Sequence, residues 1–269
     1  MNDLRFFDIH THTFPDRLAP LATHNLGSFY NFPIEGKGTA DDLCGHCERS
    51  NVQGVLILLT ATNPRHVRAV NAGGTDILNR FRMRGIDAHV FAGFHQDCPD
   101  PEGEFLYAVG CGLRGFKIHP DIQGCDIDDP RFFPLYRLCE GKYPVYFHMG
   151  DCRPQYRFSE VRKLLHVIEK FPDLRIGAAH LGGYTAWEDS YLLKGLPNVW
   201  FDTSSTIWHT GPEKASELIH MLGTDRCMFG TDYPVKTADE EIPRFMALDL
   251  SDEERTAVAY GNAQKFLAQ

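Results

Sequence analysis

The sequence predicts a single (β/α)8 TIM barrel, with one domain spanning residues 1–269. The length fits, because one such barrel needs about 250 residues. Short β-rich apolar runs alternate with longer segments of helical periodicity, which indicates βαβ units and a parallel sheet. An open, doubly wound sheet shares this alternation, but the number of candidate strands and the polar residues at their ends favour the closed barrel.

Eight apolar runs are the candidate strands. Most are almost continuously apolar, as at residues 53–59, and this pattern suits parallel strands that are buried on both faces. Prolines at first helical positions mark connections between the strands, as at Pro64 and Pro130. The candidate strands occupy residues 6–12, 53–59, 89–94, 113–119, 144–149, 175–180, 198–203 and 226–231.

The composition indicates which kinds of binding partner to expect. The net charge is −9, from 27 basic and 36 acidic residues, so neither nucleic acid nor an anionic membrane surface is the expected partner. No apolar run reaches the roughly 18 residues of a membrane span, and residues 1–5 lack the layout of a signal peptide. We therefore expect a cytoplasmic protein that binds a small molecule. The sequence leaves the formation of a homo-oligomer open.

Eight cysteines are scattered along the chain, and a chain of this size needs no disulfides to fold, so reduced thiols are expected. Cys44 and Cys47 form a C-x-x-C motif, but no second pair follows it and the surrounding residues have helical periodicity. A packing role is therefore favoured over a redox or zinc role for this motif.

Histidines gather at the predicted C-terminal ends of the strands, where the active site of a barrel lies. Five of the 13 histidines fall there, with one lysine and one aspartate. These residues are His10 and His12 at strand 1, Lys117 and His119 at strand 4, His148 at strand 5, His180 at strand 6 and Asp232 after strand 8. A single histidine at a strand end is more often a hydrogen-bonded core residue. So many at one rim, without a thiolate among them, favour a catalytic metal site.

Five sequence motifs contain these residues, and a sixth lies near the C-terminus. They are DIHTHTFP (8–15), GFKIHP (115–120), VYFHMGD (145–151), AAHLGG (178–183), FGTDYP (229–234) and GNAQKFL (261–267). By content and order the motifs resemble the amidohydrolase superfamily, and more narrowly its branch that contains aminocarboxymuconate-semialdehyde decarboxylase. They span nearly the whole chain and are specific to the superfamily, although not to one reaction.

The resemblance implies roles for the residues at the strand ends. His10, His12 and His148 would bind a divalent metal, with Asp232 as a carboxylate ligand that also accepts a proton from the attacking water. His180 would bind a second metal or stabilise developing negative charge. We expect one metal ion, zinc before manganese or iron, and a second ion only if Lys117 is carboxylated and bridges the two.

Three further side chains are candidates for substrate binding or support. An unmodified Lys117 can pair with a substrate carboxylate, or it can form a buried ion pair with Asp8. Arg153, on the rim loop after strand 5, can hold a substrate carboxylate bidentately or remain a solvated loop charge. His119 is expected behind the ligands, where it would orient Lys117 or a metal ligand. The aromatic stretch 25–38 can close over the site, cover apolar surface or pack against another subunit.

The first functional expectation is a metal-dependent hydrolase of a small-molecule C–N or C–O bond, as in an amide, lactone or ester. A divalent cation supports this chemistry because it lowers the pKa of bound water to about 7. A non-oxidative decarboxylase of the same branch is the alternative, since the same site can polarise a carboxylated substrate. A barrel that has lost catalysis and only binds a ligand is a third hypothesis, which the complete ligand set disfavours.

Overall fold

The computed structural model of the chain describes residues 4–268. Eight parallel strands follow one another around the sheet in chain order. The strands are β1 (Phe6–Thr11), β2 (Val52–Leu58), β3 (Asp87–Gly93), β4 (Phe116–Ile118), β5 (Val145–Phe147), β6 (Ile176–Ala178), β7 (Val199–Asp202) and β8 (Cys227–Met228). Main-chain hydrogen bonds from Ile9 to Phe229 and from Asp232 to His10 connect β1 with the β8 segment. The predicted (β/α)8 barrel is thereby confirmed.

Helices connect successive strands and cover the outside of the barrel. They are α1 (Ala19–Tyr30), α2 (Ala40–Arg49), α3 (Val67–Ala72), α4 (Gly74–Met83), α5 (Pro101–Gly110), α6 (Pro120–Gln123), α7 (Phe133–Cys139), α8 (Val161–Lys170), α9 (Ile207–Thr210), α10 (Pro212–Leu222), α11 (Ala238–Met246), α12 (Asp252–Thr256) and α13 (Asn262–Leu267). None of the helices within residues 4–268 is long and apolar enough to cross a bilayer.

Each predicted strand position contains a strand, but several strands are shorter than the apolar runs. β4, β5 and β6 have three residues each, where six or seven were expected. His119, His148 and His180 therefore lie just beyond the paired residues, at the start of the loops. Apolar patterning reports burial, and burial continues past the last ladder hydrogen bond into the mouth of the barrel.

The inside of the barrel is closed at the end opposite these histidines. Phe266 on α13 packs against the rings of Phe91, Tyr146 and Trp200. Arg175, which precedes β6, donates hydrogen bonds to the carbonyl of Phe266 and so fixes the C-terminal helix in place. The polar end of the barrel is consequently the end at which a ligand can enter.

The eight cysteines all lie within residues 4–268 and carry free thiols. Cys44 and Cys47 are buried on α2, where burial raises the pKa of Cys44 to about 11. A buried, protonated thiol is a poor metal ligand or nucleophile. The arrangement agrees with the packing role expected for the C-x-x-C motif.

Candidate metal centre and active site

His10 and His12 present lone pairs to the mouth of the barrel. The Nδ1 atom of His10 lies 3.0 Å from a carboxylate oxygen of Asp202, and Nδ1 of His12 lies 2.7 Å from the carbonyl oxygen of Leu58. Both oxygens only accept hydrogen bonds, so each Nδ1 carries a proton, and a ring without a second proton has its lone pair on Nε2. Burial and the charge of Lys117 lower the pKa of His10 to about 3, which keeps this ring neutral.

These two lone pairs converge with a carboxylate oxygen. The Nε2 atoms of His10 and His12 are 3.2 Å apart, and each lies 3.5 Å from Oδ1 of Asp232. Three acceptors facing one another repel unless a cation lies between them. Ligands at about 2.0–2.1 Å around a tetrahedral zinc ion are separated by roughly 3.3 Å. The donor set and its spacing therefore fit a divalent metal ion.

Asp232 is held in place from its other side. The hydroxyl of Ser205 donates to its Oδ2 atom at 2.8 Å. A hydrogen bond donated to a carboxylate favours its charged form. The group is thus an ionised carboxylate, which is the form that binds metal.

His148, the fourth predicted ligand, lies apart from this set. Its Nδ1 atom is 3.0 Å from Nε2 of His180, and Nδ1 of His180 donates to the carbonyl oxygen of Ser204 at 3.0 Å. The Nε2 atom of His148 lies 3.3 Å from Oδ2 of Asp121 without forming a hydrogen bond. The structure therefore gathers three of the four predicted ligands and forms a second imidazole pair beside them.

Lys117 is fully buried at the floor of the site. Its ammonium lies 3.3 Å from Nε2 of His10 and 5.3 Å above the ring of Tyr146. Burial lowers its pKa to about 8, against the raising effect of Asp232. The ion pair with Asp8 that was considered from the sequence does not form, because Asp8 instead accepts hydrogen bonds from Thr231.

His119 contacts the second imidazole pair and not Lys117. Its ring stacks on that of His148, with centroids 4.2 Å apart and planes 11° from parallel. Its Nε2 atom lies 3.1 Å from the hydroxyl of Tyr30, whereas its Nδ1 atom is buried without a hydrogen-bond partner. His119 thus contacts His148, one of the predicted ligands, and its supporting role stays a prediction.

The stretch 25–38 is not a simple loop, because α1 extends through Tyr30. Phe29, Tyr30 and Phe32 form what we call the aromatic cover. Tyr30 packs against His148 and Tyr184, and Phe32 packs edge-on against Trp208. This segment lies over the histidines, as the sequence allowed.

Arg153 joins the aromatic cover to the rim. Its guanidinium binds Asp151, with the shortest contact at 2.7 Å, and donates to the carbonyl oxygen of Phe29 at 2.7 Å. It also lies above the rings of Phe29 and Tyr156, at 4.8 and 4.3 Å from the centroids. Its donors are thus engaged within the chain, and a substrate carboxylate would have to displace one of these contacts.

Comparison with known proteins now assigns the family. The family model described as amidohydrolase matches residues 7–268. The chain belongs to the amidohydrolase family. The resemblance inferred from its motifs is confirmed by this match.

Solved structures share the fold of this amidohydrolase. An uncharacterised TIM-barrel protein from Bordetella bronchiseptica is 16% identical, with a TM-score of 0.75 and 98% of each chain covered. 5-Carboxyvanillate decarboxylase from Sphingomonas paucimobilis is 14% identical, with a TM-score of 0.70 and coverage of 98% and 99%. A dihydroxybenzoic acid decarboxylase from a Polaromonas species, with bound manganese and the inhibitor 2-nitroresorcinol, is 15% identical, with a TM-score of 0.64 and coverage of 98% and 96%.

Several polar residues of this amidohydrolase site were not identified from the sequence. They are Asp121, Tyr146, Asp202, Ser204 and Ser205. Asp202 carried a usable signal, since it is the last residue of β7 and polar residues at the other strand ends had been selected on that ground. Tyr146 carried none, because an aromatic residue inside a buried strand is equally typical of the core.

Proposed function

We propose that this amidohydrolase is a metal-dependent, non-oxidative decarboxylase of a small aromatic carboxylic acid. Hydrolysis was the first expectation from the sequence and decarboxylation its alternative. We now place decarboxylation first because the ammonium of Lys117 is buried beside the metal donors.

Lys117 lacks an anionic partner of its own. Among residues 4–268 no carboxylate forms an ion pair with it, and its hydrogen bond goes to the Nε2 lone pair of His10. That lone pair serves one partner at a time, so metal binding at His10 leaves the ammonium without this acceptor. A buried, unpaired charge is costly, and a substrate carboxylate would satisfy it. The proposed substrate is therefore an acid that binds through its carboxylate.

The surroundings of the site suit an aromatic ring. The aromatic cover packs against Tyr184, Trp208 and His148, so several aromatic side chains lie next to the histidines of the site. Offset or edge-on packing of rings adds about 0.5–1.5 kcal/mol per pair beyond the burial of area. The two named decarboxylases that share the fold act, by name, on 5-carboxyvanillate and dihydroxybenzoic acid, which agrees with this substrate class.

The proposed reaction requires three tasks of the protein. His10, His12 and Asp232 would hold the divalent ion, manganese or zinc, which supplies Lewis-acid polarisation of the bound acid. Lys117 would orient the carboxylate, and the aromatic cover would exclude water. When the carbon–carboxylate bond breaks, carbon dioxide leaves and the electron pair stays on the ring carbon. That carbon then takes up one proton that derives from the solvent.

Product analysis tests the proposal. The metal-loaded protein is incubated in D2O with a panel of hydroxy- and methoxybenzoic acids labelled with ¹³C in the carboxylate. We expect labelled carbon dioxide and a product that carries one deuterium at the vacated carbon, with loss of turnover in Asp232→Asn. A fully metal-loaded protein that releases no carbon dioxide from any member of the panel would refute the proposed reaction.

Hydrolysis stays the second candidate because of the second imidazole pair. Nδ1 of His148 lies 3.0 Å from Nε2 of His180. If Lys117 were carboxylated, it could bridge one ion at the metal donors and a second ion at this pair. Two metal ions per chain, together with an intact mass raised by one carbon dioxide, would favour hydrolysis. Incorporation of oxygen from H2¹⁸O into the product of an ester or lactone would establish it.

A further inference from the structure

We propose that Asp202 is a positioning residue that fixes the tautomer of His10 and thereby makes His10 a metal ligand. The inference rests on the metal dependence in the proposed function, but not on which reaction the metal serves. Asp202 ends β7 and is completely buried within the barrel. No role was assigned to it from the sequence.

The two carboxylate oxygens of Asp202 have different partners. Oδ1 accepts hydrogen bonds from the main-chain nitrogens of His180 and Ser204, at 3.2 and 2.9 Å, and from the hydroxyl of Ser204. Oδ2 accepts from the hydroxyl of Tyr146 at 2.6 Å and from Nδ1 of His10 at 3.0 Å. Main-chain donors cannot rotate away, so the carboxylate is held in one orientation.

This orientation decides the chemistry of His10. A carboxylate oxygen can only accept, so it selects the His10 tautomer with the proton on Nδ1. The Nε2 lone pair then faces Nε2 of His12 and Oδ1 of Asp232. Carboxylates behind metal-binding histidines commonly fix tautomer and ring orientation in this way.

Asp202 does not itself fit a metal ligand, although its oxygens lie near the Nδ1 atoms of both His10 and His180. The hydroxyl of Ser204 lies between these groups, 3.0 Å from each Nδ1 atom, and donates to Asp202. The Nδ1 atom of His180 also donates to a main-chain carbonyl. Hydrogen bonds therefore satisfy the acceptors of this cluster, and no metal ion is needed there. The metal donors differ, because their lone pairs face one another without a proton between them.

The variant Asp202→Asn tests the inference sharply. The three donors at Oδ1 require the amide oxygen to occupy that position, so the amide nitrogen must replace Oδ2 and donate to Nδ1 of His10. His10 is then forced to carry its proton on Nε2, where the metal should bind. We expect the dissociation constant for Mn²⁺ or Zn²⁺ to rise about 10- to 100-fold.

Two matched controls separate this effect from general damage to the barrel. Tyr146→Phe removes one donor from Oδ2 but leaves the carboxylate facing His10. Asp8→Asn changes another buried carboxylate, which accepts hydrogen bonds from Thr231 and from the main-chain nitrogen of His10 but not from its ring. Both variants should keep the dissociation constant for metal within about threefold of the parent, whereas a merely structural role for Asp202 predicts similar losses in all three.

The tautomer itself gives a readout that needs neither metal nor substrate. In ¹⁵N NMR of the metal-free parent protein, the His10 ring should be protonated on Nδ1, and in Asp202→Asn on Nε2. A parent ring protonated on Nε2 would overturn the inference even if the variant failed to fold, and so would unchanged metal affinity in a folded variant. If the tautomer and the loss of metal affinity in Asp202→Asn are as expected but no decarboxylation is found, the proposed function is refuted and the inference on Asp202 stands.

Discussion

At the scale of single residues, the spacing of His10, His12 and Asp232 is the most informative feature. Distances of 3.2–3.5 Å between three hydrogen-bond acceptors are unfavourable in a protein interior unless a cation lies among them. The hydrogen bonds behind the rings prevent either imidazole from turning its proton inward. Metal content should therefore depend on each of these side chains.

Replacement of His12 by alanine tests this dependence. We expect His12→Ala to retain less than about a tenth of the metal bound by the parent after dialysis, because one of three converging donors is lost. Elemental analysis per chain measures the effect. His24→Ala, an exposed histidine on α1, is the control and should keep its metal. Equal metal content in both variants would show that His12 is not a ligand.

Lys117 gives a second prediction at this scale. Lys117→Met keeps the length of the side chain but removes the charge, so KM for a carboxylate substrate should rise at least tenfold, as expected for a lost charge-assisted hydrogen bond. The free energy of unfolding should stay equal or increase, because the buried ammonium has no ion-pair partner within residues 4–268. Steady-state kinetics and urea unfolding measure the two effects, with Lys194→Met, an exposed lysine, as the control. An unchanged KM would contradict the substrate role.

At the scale of elements, the end of α1 is the part of the fold that covers the histidines at the mouth of the barrel. The helix ends at Asn31, which adopts a left-handed conformation with φ of 60°. This turn directs the chain from Tyr30 back across the mouth to Phe32. The contacts of Arg153 with Phe29 then hold the aromatic cover against the rim.

Arg153→Ala should loosen the aromatic cover without affecting the barrel. Loss of the hydrogen bond to the Phe29 carbonyl and of the stacking on its ring predicts faster amide hydrogen exchange at residues 26–34. Arg157→Ala is the control, since Arg157 lies on the same rim segment but, among residues 4–268, forms its ion pair with the half-exposed Glu160 alone. If exchange at residues 26–34 is the same in both variants, Arg153 does not hold the cover.

At the scale of the whole molecule, the buried acid Glu241 adds its own dependence of stability on pH to that of other buried acids. Glu241 on α11 has both oxygens buried without a hydrogen-bond partner, and Arg244 approaches it only to 3.6 Å. Burial raises the pKa of Glu241 from 4.5 to about 7. The folded chain therefore binds this proton more tightly than the unfolded chain. This contribution to stability is complete below about pH 4.5 and is lost as the pH rises through 7.

Glu241→Gln should remove this dependence. Between pH 5 and 8.5 the free energy of unfolding of the parent should fall by about 2 kcal/mol more than that of the variant. Urea unfolding at several pH values measures the difference, and Glu240→Gln, an exposed position on the same helix, is the control. Parallel pH profiles for the parent and Glu241→Gln would show that the acid does not titrate as described.

The sequence by itself determined the fold and the rim at which the site lies. Apolar runs of strand length alternate with helical segments, and parallel strands place their C-terminal ends at one rim, so His10, His148 and His180 had to lie near one another. Residue type and spacing sufficed for this, because each chemical group lies next to its own strand in the chain. The family followed from the same motifs.

Only the tertiary structure decided which of these groups converge as metal donors and which form a separate pair. Whether His148 pairs with His180 or joins His10 depends on distances across the barrel that no local pattern encodes. The hydrogen bonds of Asp202 and the cover formed by Tyr30 join residues far apart in the chain, 192 positions in the case of Asp202 and His10. Periodicity reports which face of an element is buried, whereas tautomers, donor distances and unpaired charges are set by the neighbours that packing brings together.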